Sequence, residues 1–180
     1  MAEPNPPAAP IVLAIAIRDR RWREALPEVR TVVRRAAAEA LAVEGFAAGG
    51  EISFALVGDA EIRRLNRDYR RKDRPTNVLA FPGEAPGRRN GAPGLLGPAL
   101  LGDVVIALET VTAEARAQAK SLADHLSHLV VHGVLHLLGY DHGAAKAANA
   151  MEARERCVLA RLGIADPYVA AGSAAAEGVR

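Results

Sequence analysis

The sequence has a single cysteine, Cys157, among its 180 residues, so no disulfide can form within the chain. A chain without disulfides suits a reducing compartment. Cys157 lies in a helical pattern far from the histidines, and we interpret it as a small core residue rather than a nucleophile. Residues 1–10 contain four prolines and no basic residue, which does not fit a secretory leader. We therefore expect a cytoplasmic protein.

Aromatic residues and long hydrophobic runs are also scarce. Aromatic side chains make up 4% of the sequence, and no aromatic motif of an RNA-stacking sheet is present. The apolar run Ile11–Ile17 is too short to span a bilayer. The content of 50% hydrophobic and 24% charged residues is typical of a soluble globular domain, so no membrane partner is expected.

The formal net charge is only +2, but the charge is unevenly distributed. Residues 63–74, which we call the basic segment, contain six arginines and one lysine against Asp68 and Asp73. Such a segment is either a solvated helix face or a patch that binds an anionic partner.

The hydrophobic periodicity predicts a single α+β domain at residues 11–168, a small mixed four-stranded sheet packed against about five helices. The predicted strands are 11–17, 52–57, 78–81 and 104–108. The predicted helices are 22–43, 59–69, 110–119, 123–138 and 147–162, with Asp59 as the N-cap of the second. We expect a disordered tail at 1–10, a flexible tail at 169–180 and a mobile loop at 82–100, which holds four prolines and five glycines.

The strongest local pattern is the segment HGVLHLLGYDH at residues 132–142. His132 and His136 are one helical turn apart, so both imidazoles can reach one cation. Gly139 can end that helix in a left-handed conformation, which would turn the chain and bring His142 toward the same ion. Three imidazoles leave the fourth position of a tetrahedral zinc open, as in catalytic sites. The pattern predicts one Zn²⁺ per chain, although spacing alone does not distinguish it from Ni²⁺ or Cu²⁺.

Two further histidines, His125 and His128, lie on the same helical stripe. His128 also forms an i, i+4 pair with His132, but only the pair at 132 and 136 is followed closely by a chain reversal. We therefore interpret His128 as a supporting or packing residue, and His125 likewise. Asp141 is interpreted as an orienting or capping residue.

The spacing matches the H-E-x-x-H-x-x-G-x-x-H pattern of metzincin proteases, except that Gly133 stands where the catalytic glutamate would be. Without that carboxylate, a peptidase of this type lacks its general base. The departure argues against proteolysis.

Several segments besides the histidines carry a family resemblance. They are LNRDYR at 65–70, PTNVL at 75–79, LGDVVI at 101–106, Met151 with Glu152, and Gly163 to Tyr168. Together with residues 132–142 they resemble the YbeY family of zinc-dependent endoribonucleases. The resemblance implies that His132, His136 and His142 bind zinc and that Arg70 acts in RNA cleavage. Ala80 is a departure, since the family commonly has serine there.

A hydrolytic metal makes a phosphate-rich substrate the better explanation of the basic segment. The predicted RNA backbone contacts are Arg63, Arg67, Arg71, Lys72 and Arg74. Asp73 and Asp103 are candidate general bases.

The resemblance implies a single-strand-specific endoribonuclease that matures the 3′ end of 16S rRNA and acts in ribosome biogenesis and quality control. Ribosomal RNA precursor would be its substrate, and the small subunit or assembly factors would be further partners. Two alternatives remain open. One is a zinc metallopeptidase, and the other is a non-catalytic ribosome-assembly factor with a structural zinc.

The first prediction concerns metal content. One Zn²⁺ per chain should co-purify, and His132→Ala, His136→Ala or His142→Ala should each lose most of it, because each removes one ligand. The control variants His125→Ala and His128→Ala should retain it. Elemental analysis of the purified proteins measures this, and loss of zinc from His128→Ala but not from His142→Ala would contradict the ligand set.

Overall fold

The computed structural model describes residues 10–46, 49–83, 100–141 and 143–169. Most of the predicted tails at 1–10 and 169–180 and of the predicted loop at 82–100 lies outside the described residues, as does His142.

Four strands form one mixed sheet, as predicted. They are β1 (Ile11–Ile17), β2 (Gly50–Val57), β3 (Val78–Pro82) and β4 (Leu100–Ala107). Their order in the sheet is β1-β2-β4-β3. The β1–β2 and β2–β4 pairs are parallel, whereas β3 runs antiparallel to β4 at one edge of the sheet.

Six helices occur in the described part of the chain, one more than predicted. They are α1 (Arg21–Ala25), α2 (Val29–Val43), α3 (Asp59–Arg70), α4 (Leu108–Ala117), α5 (Leu122–Leu137) and α6 (Ala145–Arg161). The predicted helix at 22–43 is interrupted at Leu26, whose backbone is not helical (φ −147°, ψ 89°). Pro27 follows directly, and a proline disfavours the helical conformation of the residue before it.

The core lies on both faces of the sheet. Side chains alternate along β4, so Val104 and Ile106 join the large cluster with α2, α5 and α6. Val105 and Ala107 join a smaller cluster with Ile62 of α3 on the opposite face. Helix α5 packs between the sheet and helices α2 and α6. Within the described ranges, no helix combines the length and the apolar character that a bilayer crossing requires.

The predicted N-cap role of Asp59 is wrong. Gly58 is the N-cap of α3 and Asp59 is the first helical residue. Oδ1 of Asp59 instead accepts hydrogen bonds from the backbone N–H (3.1 Å) and the hydroxyl (2.9 Å) of Thr110, and its own N–H donates to Glu109 (2.8 Å). The side chain thus joins the starts of α3 and α4, a tertiary contact that local spacing does not encode.

The predicted burial of Cys157 is also wrong, because its side chain is exposed. The buried residues of α6 are Met151, Glu155, Val158 and Leu159. Cys157 lies two residues after Glu155, on another face of the helix. The inward stripe of α6 thus includes a glutamate and leaves Cys157 outside it.

Gly133 lies where α5 touches the sheet. A Cβ atom added at Gly133 would be 2.7 Å from Cγ1 of Val104 and 3.1 Å from its Cγ2. Position 133 therefore faces β4, and its contacts leave no space there for a glutamate side chain.

Gly133→Ala should lower the free energy of unfolding by about 1–3 kcal/mol, because overpacking outweighs the gain of about 1 kcal/mol in helix propensity. Urea denaturation measures the effect. Val104→Ala removes both clashing Cγ atoms, so the double variant should lose less stability than the two single variants added together. Strictly additive losses would contradict the contact.

Candidate metal site

Helix α5 brings two of the three predicted ligands together. The ring centroids of His132 and His136 are 4.7 Å apart, and their Nε2 atoms are separated by 3.2 Å. The spacing of four residues places both rings on one face of α5, one turn apart.

The Nδ1 atoms of the two rings have acceptors of their own. Nδ1 of His132 donates to Oε1 of Glu155 at 2.7 Å, and Nδ1 of His136 donates to the carbonyl oxygen of Tyr140 at 2.9 Å. A carbonyl accepts only from a protonated nitrogen, so these contacts assign the proton of each neutral ring to Nδ1. Metal-binding histidines are typically oriented by a carboxylate or a backbone carbonyl in this way.

This tautomer makes the pair suitable for a cation. With both protons on Nδ1, the two Nε2 lone pairs would face each other at 3.2 Å, and a shared cation removes that repulsion. Two nitrogen ligands of a tetrahedral zinc, each about 2.0–2.1 Å from the ion, lie about 3.3 Å apart. His132 and His136 therefore fit a zinc ion.

The predicted chain turn after α5 is confirmed, since Gly139 has a φ of 98°. His142 itself lies outside the described residues, so its place as third ligand stays a prediction. Within the residues the structure does describe, no group of three or more His, Cys, Asp or Glu side chains could hold a metal ion.

A buried carboxylate that sequence reasoning missed lies behind the histidines. Glu155 of α6 is fully buried, and its Oε2 accepts hydrogen bonds from Nε2 of His128 (3.0 Å) and from the hydroxyl of Tyr168. Burial alone would raise the pKa of Glu155. The hydrogen bonds from His128, His132 and Tyr168 outweigh it and hold that pKa well below its usual value. The sequence feature that could have indicated this residue is a glutamate at a position of α6 where the helical period calls for an apolar side chain.

The two other histidines of α5 contact carboxylates. His128 binds Glu155, and Nε2 of His125 lies 2.8 Å from Oε2 of Glu114. Burial lowers the pKa of His125, although Glu114 opposes that shift. Both contacts agree with the supporting roles assigned from the sequence, which stay predictions.

Arg70, the last residue of α3, reaches the same pocket as the histidines. The pocket has a volume of about 300 Å³. Its lining residues are Arg70, Thr76, Asn77, Val78, Ala80, His132, His136 and Asp141. The structure thus brings together an arginine and two histidines that are more than sixty residues apart in the sequence.

The other predicted RNA contacts of the basic segment have three different environments. Lys72 and Arg74 line an adjoining pocket of about 240 Å³ that also includes Arg70. Arg63 instead forms a bidentate ion pair with Asp73 (2.9 and 3.0 Å), and Arg67 pairs with Asp68 at 3.1 Å. Arg71 is the left-handed C-cap of α3, with a φ of 59°.

Neither predicted general base lines the histidine pocket. The hydrogen bond from Arg63 lowers the pKa of Asp73, which makes this carboxylate a weaker base. Asp103 precedes Val104, which faces α5, so alternation along β4 turns Asp103 to the opposite face of the sheet. There it lines a groove with Ala14, Ser53 and other residues of β1 and β2. The structure therefore gives no support for either residue as the base.

A helix that carries paired histidines, a buried carboxylate behind them and an arginine in the same pocket are together typical of a metal-dependent hydrolase. The family model described as Endoribonuclease YbeY matches residues 16–163. The chain belongs to this family.

Relatives named Endoribonuclease YbeY resemble the chain over most of its length. The protein of Alkalilimnicola ehrlichii is 55% identical and the match covers 82% of this chain and 85% of the relative. The protein of Paramagnetospirillum magneticum is 50% identical, with 88% and 96% covered. A solution structure from Thermotoga maritima is 21% identical, with a TM-score of 0.48 and coverage of 88% of this chain and 99% of that one.

Proposed function

We propose that this chain is a zinc-dependent, single-strand-specific endoribonuclease that acts in the maturation of the 16S rRNA 3′ end and in ribosome quality control. The proposal places it in the cytoplasm, with ribosomal RNA precursor as substrate and the small subunit or assembly factors as further partners. The observation that carries the proposal is the shared pocket of Arg70, His132 and His136. The names of its relatives support the reaction class.

His132, His136 and His142 would hold the metal. The first two have the tautomer and the nitrogen separation that zinc requires. His142 is included because its spacing after Gly139 predicts that it reaches the same ion. When bound, zinc supplies Lewis-acid chemistry toward a phosphoryl oxygen or a water molecule.

Arg70 would bind the phosphate that is cleaved. Its guanidinium is a planar, permanently charged donor at the wall of the histidine pocket, which suits the charge that builds on phosphoryl oxygens during cleavage. Asn77 lines the pocket beside it and is fixed by hydrogen bonds to Glu114 (3.0 and 3.2 Å). A rigid wall of this kind positions a substrate without further reorganisation.

Lys72 and Arg74 would guide the neighbouring backbone phosphates, because the pocket that they line adjoins the histidine pocket at Arg70. The histidine pocket, at about 300 Å³, is at the small end of the usual range for ligand sites. Its size suits an unpaired nucleotide better than a duplex and supports the preference for single strands.

The structure weakens the metallopeptidase alternative, since position 133 faces Val104 and not the histidine pocket. The structural-zinc alternative requires a fourth protein ligand and no turnover. The following experiment distinguishes both alternatives from the proposed function.

Incubation of the zinc-loaded protein with ribosomal RNA precursor should yield discrete RNA fragments, while unstructured casein stays intact. A chelator and His136→Ala should both abolish cleavage, because each removes the metal. Gel electrophoresis measures both reactions. Casein cleavage that chelators stop would support the peptidase, and intact RNA with a full zinc content would support the assembly factor.

Arg70 should differ from the cations around it. Arg70→Ala should lower the single-turnover cleavage rate by ~10²-fold or more with little change in RNA affinity, because it removes a donor that acts mainly in the transition state. Arg70→Lys should restore activity only in part, since lysine lacks the planar fork. Rapid-quench cleavage and filter binding measure the two quantities.

Arg74→Ala serves as the comparison, with weaker RNA binding, a shallower salt dependence and a nearly unchanged rate at saturating RNA. Arg64→Ala, a matched control on the exposed surface of α3, should change the rate little. Zinc content must be equal in all variants. If Arg70→Ala loses affinity but keeps its single-turnover rate, the catalytic role of Arg70 is wrong.

A further inference from the structure

A single carboxylate connects three separate parts of the chain at the histidine site. Glu155 of α6 contacts His132 and His128 of α5, and it also contacts Tyr168, which follows α6. It is fully buried, whereas charged side chains are rarely buried without partners.

The two carboxylate oxygens of Glu155 accept hydrogen bonds from different residues. Oε1 accepts the hydrogen bond from Nδ1 of His132 at 2.7 Å, whereas Oε2 accepts those from His128 and Tyr168. The two donors on Oε2 fix the rotation of the carboxylate, and that rotation determines where Oε1 lies. The ring of Tyr168 is itself held by an edge contact with His128 and by the guanidinium of Arg156, 4.9 Å from the ring centroid.

We propose that Glu155 is the positioning residue of the metal site, acting through His132, and that His128 and Tyr168 hold its carboxylate in place. The proposal rests on the zinc site described under the proposed function. Glu155 keeps the proton of His132 on Nδ1 and turns Nε2 toward His136. An ionised carboxylate also makes the imidazole a more basic ligand.

This role differs from a contribution to packing alone. An isosteric replacement that cannot carry a negative charge should fill the same space, yet it should make His132 a weaker ligand. Loss of such a supporting carboxylate typically costs 10–100-fold in metal affinity.

Glu155→Gln should therefore raise the Kd for Zn²⁺ by about 10–100-fold, measured by competition with a chromophoric chelator. Two controls isolate the effect. Glu152→Gln makes the same chemical change one turn earlier in α6, at a residue paired with Arg156. Leu159→Ala removes a fully buried side chain from the same helix and destabilises the fold. Both controls should keep the Kd within about twofold of the unmutated protein.

The outcomes separate this inference from the proposed function. If the unmutated protein binds no zinc, the proposed metal site fails. If it binds zinc and Glu155→Gln binds equally well, or if Leu159→Ala weakens binding as much, the positioning role fails while the nuclease proposal stands.

A measurement on the unmutated protein keeps the inference testable if Glu155→Gln does not fold. Nitrogen-15 NMR of the zinc-loaded chain should show the proton of His132 on Nδ1, protected from exchange with solvent. Rapid exchange at Nδ1 would overturn the positioning role, whereas a proton on Nε2 would show that His132 does not bind the metal through that atom and would overturn the proposed metal site.

Discussion

The close contact between Gly133 of α5 and Val104 of β4 is the constraint on which the site depends. Because glycine has no Cβ, α5 can lie directly on the sheet at the middle of its most buried stretch. The histidines on either side of Gly133 are then held above the edge strand β3, where they share a pocket with Asn77 and Ala80. A bulkier residue at position 133 would push the helix outward and separate the ligands from Arg70, which belongs to another element.

The same packing explains why a carboxylate can be buried beneath the site. Burial of an isolated charge is costly, and the pairing of a buried ion often does no more than offset that cost. Glu155 accepts hydrogen bonds from two imidazoles and a phenol, and these offset the desolvation of its carboxylate. A leucine would fill the space without any desolvation cost. A charged residue at this point is therefore better explained by chemistry than by stability.

Strong periodicity allowed most of the elements, the sheet and the pair His132 and His136 to be predicted from the sequence. The break at Leu26, the environment of Asp59 and the exposure of Cys157 were not predicted, because each depends on packing or on a neighbouring residue that outweighs the pattern. Glu155 was missed since it contributes no motif. Arg70 came from the family resemblance and not from spacing, because only the folded chain brings α3 next to α5.

The basic segment shows why charge counted along a chain overstates the charge available to a ligand. Asp73 and Asp68 neutralise Arg63 and Arg67 on the outer surface, whereas Lys72 and Arg74 line a pocket that adjoins the histidine pocket at Arg70. On the far side of His132, the pocket lined by Glu114, His125 and Lys120 holds acidic and basic groups together. Glu114 also lines the pocket of Lys72 and Arg74, so three cations face one carboxylate there. A polyanion drawn to those three cations meets Arg70, which lines both pockets, so the residue that attracts the phosphate also lies beside the histidines.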